Sequence, residues 1–315
     1  MPSRRAVLHS AALLAVGALV LPGAGGGPAR AAGEVKVVAS FSILADLVRA
    51  VGGDRVAVTV LVPVNGDVHV YQPTPADSKA IAEARLVVFN GLGLEGWSAR
   101  LVKAAAYKGP LLTASDGIVP RKADEGDDGH AAGHGHHDAF DPHAWQDVRN
   151  VRIYVANIAA ALGRVDPGGK AGYDARAAAY DAKLAALDAE IRAAYGAIPA
   201  RQRRVITTHD AFGYYGAAYG ITFLAPQGTS TDTEASAKDV ARLIRQIKAE
   251  NIKAIFVENI TDPRLIQRIA AETGAKLGGA LFSDALSGSG GPAVSYLAMM
   301  RHNLVLLAAA MRGGA

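Results

Sequence analysis

Five of the nine histidines fall within 14 residues, in the stretch from Asp127 to Asp147 that reads D-D-G-H-A-A-G-H-G-H-H-D-A-F-D-P-H-A-W-Q-D. Imidazole is the commonest transition-metal ligand, so this composition points to metal collection. Gly, Ala and Asp around the histidines offer nothing to bury and leave the backbone free. The bland alternative is an exposed polar loop with chance histidines. The end of the stretch changes character, because Pro142 fixes the chain before His143 and Trp145 supplies a large apolar anchor after it. The stretch therefore divides into an auxiliary loop over 127–138, with His130, His134, His136 and His137 as low-affinity ligands, and one fixed ligand, His143.

Three further residues could join His143. His69 lies in G-D-V-H-V-Y-Q-P-T-P, His209 in V-I-T-T-H-D-A-F-G and Asp284 in L-F-S-D-A-L-S. Each alone is weak: a histidine after a strand is more often a loop hydrogen-bonder, and Asp284 could cap a turn. Together, three imidazoles and a carboxylate make a full tetrahedral set for Zn²⁺ without sulfur. His9 and His302 stand outside this pattern.

The elements that must position these residues follow a strand-then-helix rhythm in two halves. In the first, apolar runs at 35–40, 56–62, 86–90 and 111–113 read as strands, with a helix over 43–51 and another opening at Thr74-Pro75-Ala76-Asp77, a capped start with proline at its first position. In the second, strands are expected at 204–208, 221–224, 254–257 and 276–281. Helices are expected from Ser236 to about Glu250, from Asp262-Pro263 onward, and over 299–311. Continuous apolar strands alternating with helices predict parallel sheets covered on both faces. Between the halves, Tyr173, Tyr180, Leu184, Leu187, Ile191 and Tyr195 recur at helical spacing with no proline, giving one helix of roughly 40 Å. The expected fold class is α/β: two pseudo-symmetric lobes, each a mainly parallel four-stranded sheet flanked by helices, joined by one long rigid helix. The divisions are 1–31 export signal, 32–168 N-terminal lobe, 169–198 connecting helix and 199–315 C-terminal lobe. Ligands of open parallel sheets sit outside the carboxyl ends of the strands, which would draw His69, His143, His209 and Asp284 into the space between lobes.

Composition narrows the classes. The 315 residues are 50% hydrophobic and 20% charged with a formal net charge of +4, ordinary for a globular protein long enough for two cores. Basic residues are scattered rather than striped, so nucleic acid is not an expected partner. With no cysteine, thiolate zinc sites, disulfides and a lipid-modified N-terminal cysteine are not expected. Residues 3–8 form a basic opening, 11–21 a short apolar run, and Ala29-Arg30-Ala31 a cleavage site, predicting export to the periplasm. Paired Arg4 and Arg5 resemble a twin-arginine signal, although Val7 stands where that signal prefers phenylalanine, and general secretion fits as well.

In this order, G-D-V-H-V-Y-Q-P-T-P, the His-rich loop, D-P-H-A-W, T-T-H-D-A-F-G-Y-Y-G and F-S-D-A-L-S resemble the zinc and manganese substrate-binding proteins of bacterial ABC importers (the cluster A-I, TroA-like group). The resemblance covers essentially all of the chain after the signal. It implies two lobes on a backbone helix, a metal held by His69, His143, His209 and Asp284, and a monomer that delivers to an ABC permease with its ATPase and can receive zinc from a periplasmic metallochaperone. Manganese-type members carry Glu at the position of His209, so the resemblance favours Zn²⁺ as the transported ligand, with a manganese or iron carrier as alternative. A secreted zinc hydrolase is the rival outside this class. It would need an open metal position and a general base, but H-E-x-x-H and G-x-S-x-G are both missing from the chain.

Overall fold

One strand order occurs twice. In this computed structural model, which describes residues 34–123 and 140–313, the first sheet runs β2-β1-β3-β4 and the second β6-β5-β7-β8, every pairing parallel. The first comprises β1 (Val35–Phe41), β2 (Val56–Val62), β3 (Leu86–Phe89) and β4 (Leu111–Thr113); the second β5 (Arg204–Ile206), β6 (Thr222–Leu224), β7 (Ala254–Glu258) and β8 (Lys276–Leu281). The helices are α1 (Ser42–Gly52), α2 (Pro75–Glu83), α3 (Ser98–Ala104), α4 (Val148–Val165), α5 (Lys170–Gly196), α6 (Gly213–Tyr219), α7 (Ala237–Glu250), α8 (Arg264–Thr273) and α9 (Tyr296–Met311). The expected fold class, two parallel four-stranded lobes and a joining helix, is the one found. The export signal (1–31) and His130, His134, His136 and His137 lie outside the described residues.

Local chemistry sets the boundaries. Thr74 Oγ1 accepts from the Asp77 amide while Asp77 Oδ2 accepts from the Thr74 amide at 2.6 Å, a reciprocal cap with Pro75 at the first helical position. Ser236 caps α7 through the Asp239 amide, and Asn251 ends it in the left-handed region (φ 53°). Helix α4 is a difference from expectation, since the rhythm assigns nothing to 148–165. Asp147 caps it through the Arg149 amide, and Val148, Val151, Tyr154, Val155, Ile158 and Leu162 form its buried face.

Helix α5, 27 residues long, buries Tyr173, Ala177, Tyr180, Leu184, Leu187, Ile191 and Tyr195, six of which the spacing predicted. It packs on α4 and α1 of the first lobe and on α6 and α9 of the second. A single apolar cluster consequently runs from β1 and β3 through α5 to α9 and α6. A separate cluster of Ile206, Leu243, Ile247, Ile255, Ile266 and Ile269 sits under α7 and α8. The closing helix also returns to the first lobe, where the Tyr296 amide donates to Asp46 Oδ2 of α1 (2.8 Å). No helix among the described residues is long and apolar enough to cross a membrane.

Leu187 is fully buried in the shared core. Leu187→Ala is expected to destabilise the protein by about 2–5 kcal/mol, with both lobes unfolding in one denaturant transition. Two separated transitions would show that the lobes do not share a core.

Candidate metal centre

Each of the four candidate ligands leaves the carboxyl end of a strand. His69 lies in the loop after β2, His143 in the loop between β4 and α4, His209 three residues past β5 and Asp284 three residues past β8. Their ligand atoms all lie within 4.8 Å of one another. Asp284 is the hub: its Oδ2 is 3.2 Å from His69 Nε2 and 3.1 Å from His209 Nε2, and its Oδ1 is 3.6 Å from His143 Nε2. His69 and His143 Nε2 are 3.3 Å apart. His143, His209 and Asp284 are fully buried, and the His69 side chain keeps only 4% of its surface. A cleft of about 320 Å³ reaches His69 between Tyr71, Trp97, Phe140 and Ser230.

The imidazoles are aimed by carboxylates behind them. His143 donates from its amide and from Nδ1 to Asp141 Oδ1 (2.9 and 2.8 Å), which leaves Nε2 to face the centre. His209 Nδ1 approaches Glu258 Oε2 at 2.7 Å, at an angle poor for a hydrogen bond, while Oε1 of the same residue accepts from the Thr208 and His209 amides. Asp67 takes a different part: Oδ1 accepts from the His69 amide, and Oδ2 from Thr231 of the second lobe. Behind His143, Asn90 donates to the Pro142 carbonyl (2.9 Å) and accepts from Tyr154, while buried Glu95 accepts from Ser40 and from the Asn90 and Gly91 amides.

Asp284 is itself fixed from the opposite lobe. The carbonyl of Ser283 accepts from both Trp145 Nε1 and Gln146 Nε2, each at 2.9 Å. Trp145 is thus an anchor, as its size suggested, but it bridges the lobes as well as filling the core, and its ring centroid lies 5.3 Å from that of His143.

Charge balance follows from this packing. Burial would lower the His143 pKa, yet Asp284 and the Asp141 hydrogen bond outweigh it and push the group up to about 9. His209 is likewise disfavoured as a cation by burial but raised well above the usual imidazole range by Glu258 and Asp284. Burial would raise the Asp284 carboxyl, and the two histidines instead hold it well below the usual carboxylate range. Chemically the set offers three imidazole nitrogens and one carboxylate around one point, which fits a divalent cation.

A family profile, zinc-uptake complex component A, periplasmic (ZnuA), matches residues 37–310. The chain belongs to this family. The chain is 32% identical over 270 residues to the manganese-binding lipoprotein MntA of Halalkalibacterium halodurans, covering 86% of each chain. It is 32% identical over 307 residues to the iron ABC transporter substrate-binding lipoprotein MtsA of Streptococcus pyogenes serotype M1, covering 96% of each. The solved periplasmic zinc binding protein TroA of Treponema pallidum superposes with a TM-score of 0.81 at 29% identity, over 89% of this chain and 99% of that one. Within the family, then, the named metals are manganese, iron and zinc.

Sequence patterns brought out all four central residues but not Glu258, Asp67, Asn90 or Glu95. Glu258 had a signal, a carboxylate closing an apolar strand at its carboxyl end; Asn90 and Glu95 had none beyond a glycine-rich turn.

The raised imidazoles move the expected pH window. Ligand types alone place metal loss at about pH 6 to 6.5, whereas His143 titrates near 9. Metal must therefore displace protons at neutral pH, and affinity is expected to rise from pH 6.5 to about 9. The sign for folding is opposite: a raised histidine pKa stabilises the stripped protein fully below about 6.5 and ceases to do so as pH passes 9. Calorimetry of metal addition at pH 7.5 in buffers of different ionisation heat reads the protons released. No release, with affinity flat across that window, would mean neutral imidazoles.

Proposed function

We propose that this chain is a periplasmic zinc-binding protein that captures Zn²⁺ between its lobes through His69, His143, His209 and Asp284, and hands it to an ABC permease and its ATPase. The observation that carries the reading is the convergence of three buried imidazoles and one buried carboxylate from four separate loops. Family membership supports the transport role and the membrane partners. The donor set supports zinc: imidazole suits a borderline cation, whereas manganese prefers carboxylate and carbonyl oxygen. Asp284 as a fourth protein ligand leaves no open position of the kind a zinc hydrolase needs, which favours carriage over catalysis. Without a cysteine to lipidate, an exported, unanchored monomer is the simplest form, in contrast to the relatives named as lipoproteins. The tract with His130, His134, His136 and His137 is assigned a collecting role, raising local zinc or accepting it from a metallochaperone.

A manganese or iron carrier is the second reading, favoured by the metals in the names of relatives. Competition titration separates the two. Zn²⁺ is expected to displace Mn²⁺ and Fe²⁺ at one equivalent, and protein taken from the periplasm should hold one zinc that His209→Ala loses. Tighter Mn²⁺ than Zn²⁺, or full zinc in His209→Ala, defeats the proposal. Deleting residues 127–137 should leave the tight site intact and slow zinc acquisition; loss of the tight site would assign it to the tract instead.

A further inference from the structure

Asp141, which orients His143, is enclosed by two residues outside the ligand set. Its amide donates to the Arg121 carbonyl (2.9 Å), and its Oδ2 lies 3.9 Å from Arg121 Nε. Arg121 is held in turn by the second lobe: its amide donates to Tyr214 Oη at 2.8 Å, and its guanidinium stands 5.9 Å from the Tyr214 ring centre. That Nε is buried without a hydrogen-bond partner, and the Asp141 side chain is only 4% exposed. A buried carboxylate needs a nearby cation or several donors to stay charged, and Arg121 is the cation at hand.

Space at this point is equally restricted. Gly213 opens α6, four residues after His209. A Cβ there would stand 2.6 Å from Asp141 Oδ2 and 3.3 Å from Arg121 Nε. Asp141 cannot retreat cheaply, because its Oδ1 already accepts from both the amide and Nδ1 of His143. The turn that supplies one ligand, His209, thus also leaves the room in which the partner of another ligand sits.

We propose that Arg121 and Gly213 are positioning residues for His143, acting through Asp141: Arg121 by balancing the carboxylate and Gly213 by the side chain it lacks. This rests on the reading that His143 is a metal ligand. Removing the partner behind a metal-bound histidine typically weakens binding about 10- to 100-fold.

The test uses full-length protein stripped with EDTA, titrated with Zn²⁺ against a chelator, and loaded with Co²⁺ for its visible ligand-field bands. Arg121→Met and Gly213→Ala are each expected to weaken Zn²⁺ by about tenfold or more and to shift the Co²⁺ bands. In a His143→Ala background, Arg121→Met should add nothing, since two changes on one chain of contacts do not sum. Arg121→Met with wild-type affinity and Co²⁺ bands overturns the proposal, as does an effect undiminished in His143→Ala. Should Gly213→Ala fail to fold, Arg121→Met alone decides. His143→Ala that keeps full Zn²⁺ affinity would instead remove the ligand assignment beneath it.

Discussion

A buried carboxylate touched by three imidazoles is the constraint from which the rest of this molecule follows. An ionised side chain withdrawn from water is expensive unless it is paired and hydrogen-bonded. Asp284 is fully buried, so its neighbours cannot be left to chance. They come from residues 69, 143 and 209, and only a fold that brings distant loops to one point can supply them. Two sheets of the same strand order, with their carboxyl ends directed toward a common region, do this. Each histidine then needs its own support, and Asp141 and Glu258 stand behind two of them. Charge is thereby arranged in layers, with carboxylates behind imidazoles that meet a carboxylate again at the centre.

Holding such a cluster requires a frame that does not give way. The frame is the continuous apolar core along α5, reinforced where α9 returns to α1 and where polar contacts cross between lobes. Among those crossings are Thr231 to Asp67, the Asn65 amide to the Leu286 carbonyl, and the Leu286 amide to Ser42 Oγ. Most involve residues within a few positions of a ligand. The bonds joining the halves are largely the bonds that aim the ligands, so geometry at the centre and association of the lobes are one problem.

Much of this was legible in the chain because it rests on local signals. The eight strands are short apolar runs between turns, the α5 face is a helical repeat of large side chains, and Thr74 to Asp77 is a cap with a fixed pattern. The ligands were legible because His and Asp stand just past strand ends, where open parallel sheets gather their binding groups. What escaped depends on topology. Glu258 looks like any strand-closing carboxylate until β7 lies beside β5, and Asn90 and Arg121 are ordinary loop residues until the lobes meet. Helix α4 had its spacing in Val148, Val151, Val155, Ile158 and Leu162, but it begins one residue after an irregular segment whose proline and tryptophan read as loop. Metal identity is the coarsest part, since relatives of one fold are named for manganese, iron and zinc.

The Ser283 carbonyl, taken by Trp145 and Gln146 of the opposite lobe, has a kinetic corollary. The peptide next to Asp284 belongs to one half by sequence and to the other by bonding. Spontaneous separation of the halves would have to break both bonds before the carboxylate could withdraw, which makes dwell time rather than capture rate the quantity this detail governs. A cation seated here leaves slowly unless something outside the protein supplies the work.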